Sequence, residues 1–139
     1  MLCVDDEAIV LKSLSIELQN AFEDNYIYEF AECPDEALEI IEEFHENEIR
    51  ILLIVSDWLM PGMKGDEFLI RVHEKYPNIV KIMLTGQADE EAVSRAKKDA
   101  NLYQCLRKPW NSHELIGTIR SALAQLCKLP LQLSASMTT

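Results

Sequence analysis

The chain has 139 residues, of which 48% are hydrophobic and 27% are charged, as in an ordinary soluble globular protein. This length suits one domain with a single sizeable core and leaves no room for a second folded domain. The formal net charge of −11, from 24 acidic and 13 basic residues, disfavours direct binding to nucleic acid or to anionic membrane surfaces.

The predicted elements alternate between strands and helices along the chain. Short apolar or β-branched runs predict strands over 1–4, 26–31, 51–55, 79–84 and 102–106. Helical spacing of apolar residues predicts helices over 7–22, from Pro34 with Cys33 as its N-cap, from Gly65 to Pro77, over about 89–98, and from Ser112 as an N-cap. His45, His73 and His113 fall on these helices, are expected to be solvated and are assigned no role.

This alternation predicts an α/β fold of three layers. Parallel neighbouring strands need crossover connections, so five strands alternating with five helices indicate a parallel sheet with helices on both faces. The run 51–55 contains no polar residue, which is typical of a strand covered on both sides. We place one domain at 1–127 and interpret 128–139, which has no helical period, as a tail or the stub of a linker.

Cysteine spacing and hydropathy argue against several other classes. The four cysteines form no Cys-x-x-Cys pair, so neither a zinc site nor a disulfide framework is predicted. No apolar run approaches the roughly 20 residues of a membrane span, and residues 1–4 are far too short for the apolar region of a signal peptide. We expect a cytoplasmic protein with reduced thiols.

Polar and charged residues stand where the predicted strands end. They are Asp5, Asp6, Asp57, Thr85 and Lys108. Ligands of open parallel sheets bind outside the carboxyl ends of the strands, so these side chains are expected to share one crevice. Three carboxylates gathered there repel one another unless a cation offsets their charge, and a hard dication, Mg²⁺ or Mn²⁺, is the natural ligand.

That set of residues suits phosphoryl chemistry. A carboxylate can attack phosphorus and form an aspartyl-phosphate, while a metal and an ammonium hold the phosphoryl oxygens. Asp57 would attack, Lys108 would hold the oxygens, and Thr85 would donate its hydroxyl to a phosphoryl oxygen.

Four motifs in order resemble one known family, the receiver domains of bacterial two-component response regulators. They are Val4-Asp5-Asp6-Glu7, Ser56-Asp57-Trp58-Leu59-Met60-Pro61-Gly62-Met63 with Gly65, Leu84-Thr85-Gly86, and Lys108-Pro109-Trp110. The resemblance covers residues 1 to about 127. It implies a flavodoxin-like sheet with strand order 2-1-3-4-5 and a cis peptide between Lys108 and Pro109.

The resemblance also implies roles and partners. Asp57 becomes the phosphoacceptor, and Asp5, Asp6 and the backbone carbonyl of Leu59 hold Mg²⁺ beside it. The phosphoryl donor is a sensor histidine kinase or a phosphotransfer protein. An output domain or downstream protein binds the face formed by the fourth helix, fifth strand and fifth helix. Such a domain is a signalling phosphoacceptor rather than an enzyme. Its kinase, stimulus and output are left open, as is its oligomeric state, for which a homodimer is one possibility.

Two positions depart from the family pattern. Cys105 stands where these domains usually carry Tyr or Phe, the aromatic partner of the threonine in the switch, so the switch pair here is Thr85 with Cys105. Tyr103, expected on the same strand face, is a poor substitute because it lies two residues earlier. Leu59 is apolar where many relatives have a polar residue, and we expect it to hinder an attacking water.

Other interpretations stay open at the level of sequence. Asp5 and Asp6 could cap the first helix, and Thr85 could be structural. A phosphorylation-independent docking module is compatible with Cys105. A phosphatase of the haloacid dehalogenase type is less favoured because it needs a second aspartate where Leu59 stands, and a dinucleotide-binding fold lacks its glycines after the first strand.

Overall fold

The computed structural model describes the backbone of residues 1–86 and 90–138, and the side chains in those ranges up to residue 126. These described residues form five strands, five α-helices and one short 3-10 turn, Glu23–Asn25. The strands are β1 (Leu2–Val4), β2 (Glu29–Ala31), β3 (Leu53–Asp57), β4 (Val80–Thr85) and β5 (Gln104–Arg107). The helices are α1 (Ala8–Phe22), α2 (Pro34–Glu46), α3 (Gly65–Lys75), α4 (Glu90–Asp99) and α5 (Ser112–Thr138).

All neighbouring strands pair in parallel, in the order β2-β1-β3-β4-β5. This confirms the predicted α/β class and the strand order that the resemblance implied. The chain passes from β1 outward to β2 and then back to β3 on the other side of β1, so the strand order reverses there. A ligand crevice is expected at the carboxyl ends of β1 and β3 for that reason.

Alternate residues of each strand enter two separate hydrophobic cores. On one face, Leu2 and Ile54 pack with α2, α3 and α4. On the other face, Cys3 and Leu53 pack with α1 and α5. Because successive strand residues point to opposite faces, a fully apolar strand such as β3 serves both cores at once.

Each strand begins one to three residues later than the sequence predicted, as β2 and β5 illustrate. Residues 26–28 lie outside β2 because its only neighbour, β1, begins at Leu2, which pairs with Glu29. Residues 102–103 lie outside β5 because its pairing with β4 begins at Ile82 and Gln104, after a left-handed residue, Asn101, with φ of 53°. Strand pairing therefore sets limits that residue type alone does not reveal.

The helix ends confirm one predicted cap and correct another. Cys33 is the N-cap of α2, and its sulfur accepts a hydrogen bond from the Glu36 amide at 3.5 Å. At α5 the predicted cap Ser112 is wrong by one residue, because the Asn111 side chain accepts from the Glu114 amide at 3.2 Å. The predicted start of the fourth helix near residue 89 lies outside the described residues.

The last helix continues to Thr138, where the sequence indicated no helical period. Extension of a helix that has begun does not require an amphipathic pattern, and here it continues past Pro130, which donates no backbone hydrogen bond. The predicted domain boundary at residue 127 stays a prediction, and Thr139 lies outside the described residues.

Three of the four cysteines have described side chains. Cys3, Cys33 and Cys105 are free thiols, whereas the side chain of Cys127 is outside the described set. None of the described helices combines the length and the apolar character that crossing a bilayer requires.

A buried lysine lies in β4. Lys81 is 1% exposed, and its ammonium nitrogen lies 2.6 Å from Nδ1 of His73 and 3.3 Å from the carbonyl oxygen of Pro77. His73, expected to be solvated, is therefore partly exposed and in contact with Lys81. Burial lowers the pKa of Lys81 to about 8, and burial together with the neighbouring Lys81 lowers the pKa of His73.

We predict that Lys81→Met raises the free energy of unfolding near neutral pH, by on the order of 2 kcal/mol, because one pKa unit corresponds to about 1.4 kcal/mol. The native lysine loses its proton above about pH 8, whereas the unfolded lysine keeps it to about 10.5. The unfolded state therefore binds more protons in this window, and wild-type stability rises with pH. Urea unfolding at about pH 7 and about pH 9.5 checks this: the advantage of the variant must shrink, and a pH-independent difference contradicts it.

Candidate functional site

The candidate site forms where the carboxyl ends of four strands meet. Asp5 directly follows β1, Asp57 is the last residue of β3, and Thr85 is the last residue of β4. Lys108 directly follows β5. Because Val4 pairs with Ser56, the two buried aspartates lie side by side on adjacent strands.

Three carboxylates converge at this edge of the sheet. One side-chain oxygen from each of Asp5, Asp6 and Asp57 lies within 4.8 Å of the other two. Asp5 is 0% and Asp57 is 5% exposed, whereas Asp6 is exposed to solvent. Two negative charges are thus withdrawn from water, and a third faces them from the surface.

Lys108 bridges the two buried aspartates. Its Nζ donates to Oδ2 of Asp5 at 2.8 Å and lies 2.9 Å from Oδ1 of Asp57. Its backbone amide donates to the carbonyl oxygen of Thr85 at 2.8 Å, which holds the start of the β5–α5 connection against β4. The cis peptide between Lys108 and Pro109, implied by the resemblance, is present.

The electrostatics of the site are dominated by desolvation. Burial raises the pKa of the Asp57 carboxyl, and the negative charges of Asp5 and Asp6 act in the same direction. The hydrogen bond from Lys108 opposes this rise. Burial acts to lower the pKa of the Lys108 ammonium, but its hydrogen bonds to Asp5 and Asp57 outweigh that effect and leave the pKa raised.

The remaining oxygen of Asp5 holds the chain ahead of α1. Oδ1 of Asp5 accepts a hydrogen bond from the Glu7 amide at 2.8 Å. Glu7 is itself the N-cap of α1, and its side chain makes no capping hydrogen bond. The aspartate pair is therefore not the N-cap of this helix, although Asp5 fixes the turn that leads into it.

The segment after Asp57 is held tightly. The Trp58 amide donates to the Leu84 carbonyl at 2.9 Å, and the Gly65 amide donates to the Trp58 carbonyl at 2.7 Å. A Cβ at position 65 would overlap the backbone carbonyl oxygen of Asp57, so only glycine fits. Gly62, which lies between Trp58 and Gly65, has a φ of 86° and turns the chain there.

A cleft opens above the carboxylates. It is lined by Asp6, Glu7, Asp57, Trp58, Leu59, Met60, Pro61, Gly86 and Lys108. Leu59 is 56% exposed, which is high for a large apolar side chain. This residue therefore presents an apolar surface to anything that enters the cleft.

Thr85 and Cys105, the expected switch pair, lie on neighbouring strands. Thr85 is buried at the end of β4 and pairs with Arg107 of β5. Cys105 is half-buried and packs against the core beneath α4, and burial raises its thiol pKa. Tyr103 packs against the opposite core, so the expectation that it shares a face with Cys105 is wrong. It precedes β5, and the strand alternation does not extend to it.

One buried interaction near the site was missed from the sequence. The indole of Trp58 donates to Asp66, and Arg95 of α4 binds the same carboxylate. An acidic residue in the first turn of a helix is ordinarily explained by the helix dipole. Arg95 is 29 residues away in the chain, and no spacing rule connects the two.

The donor set fits a small hard dication. Carboxylate oxygens are the ligands that Mg²⁺ and Mn²⁺ prefer, and Asp5, Asp6 and Asp57 supply three of them in one place. Their three negative charges exceed the single positive charge of Lys108, so a dication would balance the site. A Leu59 carbonyl ligand stays a prediction.

Comparison with known proteins agrees with this geometry. The response regulator receiver domain family matches residues 1–120. HoxA, a hydrogenase transcriptional regulatory protein of Bradyrhizobium diazoefficiens, is 32% identical over 129 residues, which are 93% of this chain and 24% of that protein. The chain thus spans about a quarter of the length of this curated relative.

Two solved structures share the fold closely. The signal receiver domain of an HD domain-containing protein from Pseudomonas fluorescens Pf-5 has a TM-score of 0.81 at 29% identity, covering 91% of this chain and 95% of the other. A CheY-like response regulator receiver domain protein from Methanospirillum hungatei JF-1 has a TM-score of 0.79 at 32% identity, covering 91% and 94%. Together with the family match, these likenesses place the chain in the family of response regulator receiver domains.

Proposed function

We propose that this domain accepts a phosphoryl group on Asp57 from a phosphohistidine of a sensor histidine kinase or phosphotransfer protein, in a reaction that depends on Mg²⁺. The observation that carries the proposal is the contact of Lys108 with Asp57 beside two further carboxylates. A buried carboxylate at the floor of an open cleft is accessible to a donor, while an ammonium beside it can receive phosphoryl oxygens.

The transfer exchanges one bond for another. An oxygen of Asp57 attacks phosphorus, the O–P bond forms, and the P–N bond of the donor breaks with its electron pair passing to the imidazole ring. Mg²⁺ held by Asp5, Asp6 and Asp57 would neutralise charge on the phosphoryl oxygens. Lys108 stabilises the same oxygens, and Thr85 donates its hydroxyl to one of them once the aspartyl-phosphate has formed.

The product serves as a signal rather than as a turnover intermediate in this proposal. A phosphorylated domain shifts between two conformations only through contacts that differ between them, and Thr85 and Lys108 supply such contacts. The output surface is the face formed by α4, β5 and α5, where β5 is an edge strand of the sheet. Its partner is an output domain of a longer regulator or a separate downstream protein in the cytoplasm.

The donor approaches through the mouth of the cleft. Leu59 at the rim is 56% exposed, and Ile9, two residues beyond the cleft-lining Glu7, is 74% exposed. Large apolar side chains that project into solvent beside a reactive group are suited to contact with a protein partner. We therefore place the kinase or phosphotransfer protein over this rim and assign the output to the separate face of α4, β5 and α5 at the β5 edge of the sheet.

We predict that incubation with Mg²⁺ and acetyl phosphate adds one phosphoryl group to the wild type and none to Asp57→Asn, because the amide cannot act as the nucleophile. Intact mass spectrometry measures the adduct. Asp35→Asn, which alters an exposed aspartate in the first turn of α2, is the matched control and should react like the wild type. An adduct on Asp57→Asn, or none on the wild type, contradicts the assignment.

Removal of one carboxylate should weaken metal binding without disturbing the core. Asp6 is exposed, so the Asp6→Asn variant is expected to fold normally. It should lower Mg²⁺ affinity by about tenfold or more, because even residues that only support a metal ligand change affinity by about that factor. Isothermal titration calorimetry on both proteins checks this, with Asp35→Asn again as the control. The proposal of a metal site fails if the wild type takes up no cation or if Asp6→Asn binds it equally well.

Leu59 is expected to prolong the phosphorylated state by excluding water from the phosphorus atom. The Leu59→Asn variant should therefore lose its phosphoryl group several-fold faster than the wild type. The side-chain amide of asparagine can orient an attacking water, as the catalytic glutamine of GTPases does. Leu59→Met keeps an apolar side chain of similar size and should retain the wild-type rate. The decay of the phosphorylated mass after removal of acetyl phosphate measures both variants, and equal rates for Leu59→Asn and wild type would rule out this role.

A further inference from the structure

A buried carboxylate joins the strand end at the acceptor to α4. Asp66, the second residue of α3, is 2% exposed. Its Oδ1 accepts from the indole nitrogen of Trp58 at 3.1 Å, and its Oδ2 accepts from a guanidinium nitrogen of Arg95 at 2.6 Å. One side chain thus contacts the residue after Asp57 and the middle of α4.

Trp58 has little freedom to move independently of Asp57. Its amide is bound to Leu84 and its carbonyl to Gly65, and it is 7% exposed. The ammonium of Lys64 lies 5.2 Å from the centre of its ring. A displacement of the strand end therefore changes the position of the indole, and with it the hydrogen bond to Asp66.

The contact between Asp66 and Arg95 is a partly desolvated ion pair. Together with the Trp58–Asp66 hydrogen bond it forms a link from the strand end to α4. The Arg95 side chain is 53% exposed, whereas that of Asp66 is 2% exposed, so the buried charge belongs to the aspartate. Removing the arginine would leave this buried negative charge without its cation, which is far more costly than losing a surface pair. The energy of the contact is therefore sensitive to where α4 lies relative to α3.

We propose that Asp66 and Arg95 are positioning residues that couple the occupancy of the acidic site to α4 through Trp58. The inference rests on the proposed function, since it concerns how the state of Asp57 reaches the output face. It also supplies a route that does not pass through Cys105, the position where the usual aromatic side chain is missing. Coupling between two sites is a shared free energy, so loss of the Asp66–Arg95 contact should also weaken binding at the acidic site.

The experiment compares amide hydrogen exchange in α4 with and without Mg²⁺ and beryllofluoride, which mimics the phosphoryl group. In the wild type, loading should change the exchange rates of the 90–99 amides by about fivefold or more, the lower end of typical allosteric coupling. In Arg95→Gln this change should be lost, and the affinity for beryllofluoride should fall by a similar factor because the strand end is less well held. Arg95→Lys keeps the positive charge and should recover part of both effects.

A matched control is available on the neighbouring helix. Arg71 forms an exposed ion pair with Glu67 at 3.6 Å, so Arg71→Gln removes an arginine without touching the link. This variant should behave like the wild type in both measurements. Circular dichroism establishes that each variant is folded. Should Arg95→Gln fail to fold, Asp66→Asn, which keeps an oxygen for the indole but loses the charge for Arg95, takes its place.

The possible outcomes distinguish a failure of the coupling through Trp58, Asp66 and Arg95 from a failure of the proposed function. If the wild type binds no beryllofluoride, the proposed function fails. Binding that leaves exchange in α4 unchanged, or an unaltered loading response in Arg95→Gln, overturns the coupling while the phosphoacceptor role stands. Loss of the response in Arg71→Gln as well would show a general effect of removing an arginine and would equally overturn the assignment.

Discussion

The charge balance around Asp57 is the constraint on which the rest of the site depends. Two buried carboxylates and one exposed carboxylate share a space less than 5 Å across, and one ammonium, that of Lys108, bridges the buried pair. Such a group is stable only where the backbone fixes each member and where positive charge can be supplied. The parallel sheet meets the first requirement, because every member lies at the end of a strand or within two residues after one.

The backbone around this site is built for close approach rather than for flexibility. Gly65 lets the first turn of α3 pack directly on the carbonyl of Asp57, a distance that any side chain would prevent. The amide and carbonyl of Trp58 are both bound, to Leu84 and Gly65. In the proposed reaction, a carboxylate on a backbone held in this way would lose little freedom, which is how preorganised sites lower barriers.

The same rigidity provides a path outward. Trp58, Asp66 and Arg95 extend the fixed strand end to α4, while Thr85 and Cys105 lie on the strands that lead to the same face. Cys105 offers only a small thiol against the core beneath α4. In this chain a partly buried ion pair thus joins the strand end at Asp57 to α4, while Cys105 stands at the position where the family usually has an aromatic ring.

Local patterns in the sequence determined which segments form strands and helices, that the sheet is parallel, and which five polar residues lie at its carboxyl edge. Apolar periodicity and strand-end position are properties of neighbouring residues, whereas the strand order was implied only by the family resemblance. Strand limits at Glu29 and Gln104 depended on where the pairing partner lies, which no single segment contains. The contacts of Lys81 with His73 and of Asp66 with Arg95 were likewise decided only by tertiary structure. Each of these contacts joins side chains from different elements, and packing, rather than residue type or spacing, brings them within hydrogen-bonding distance.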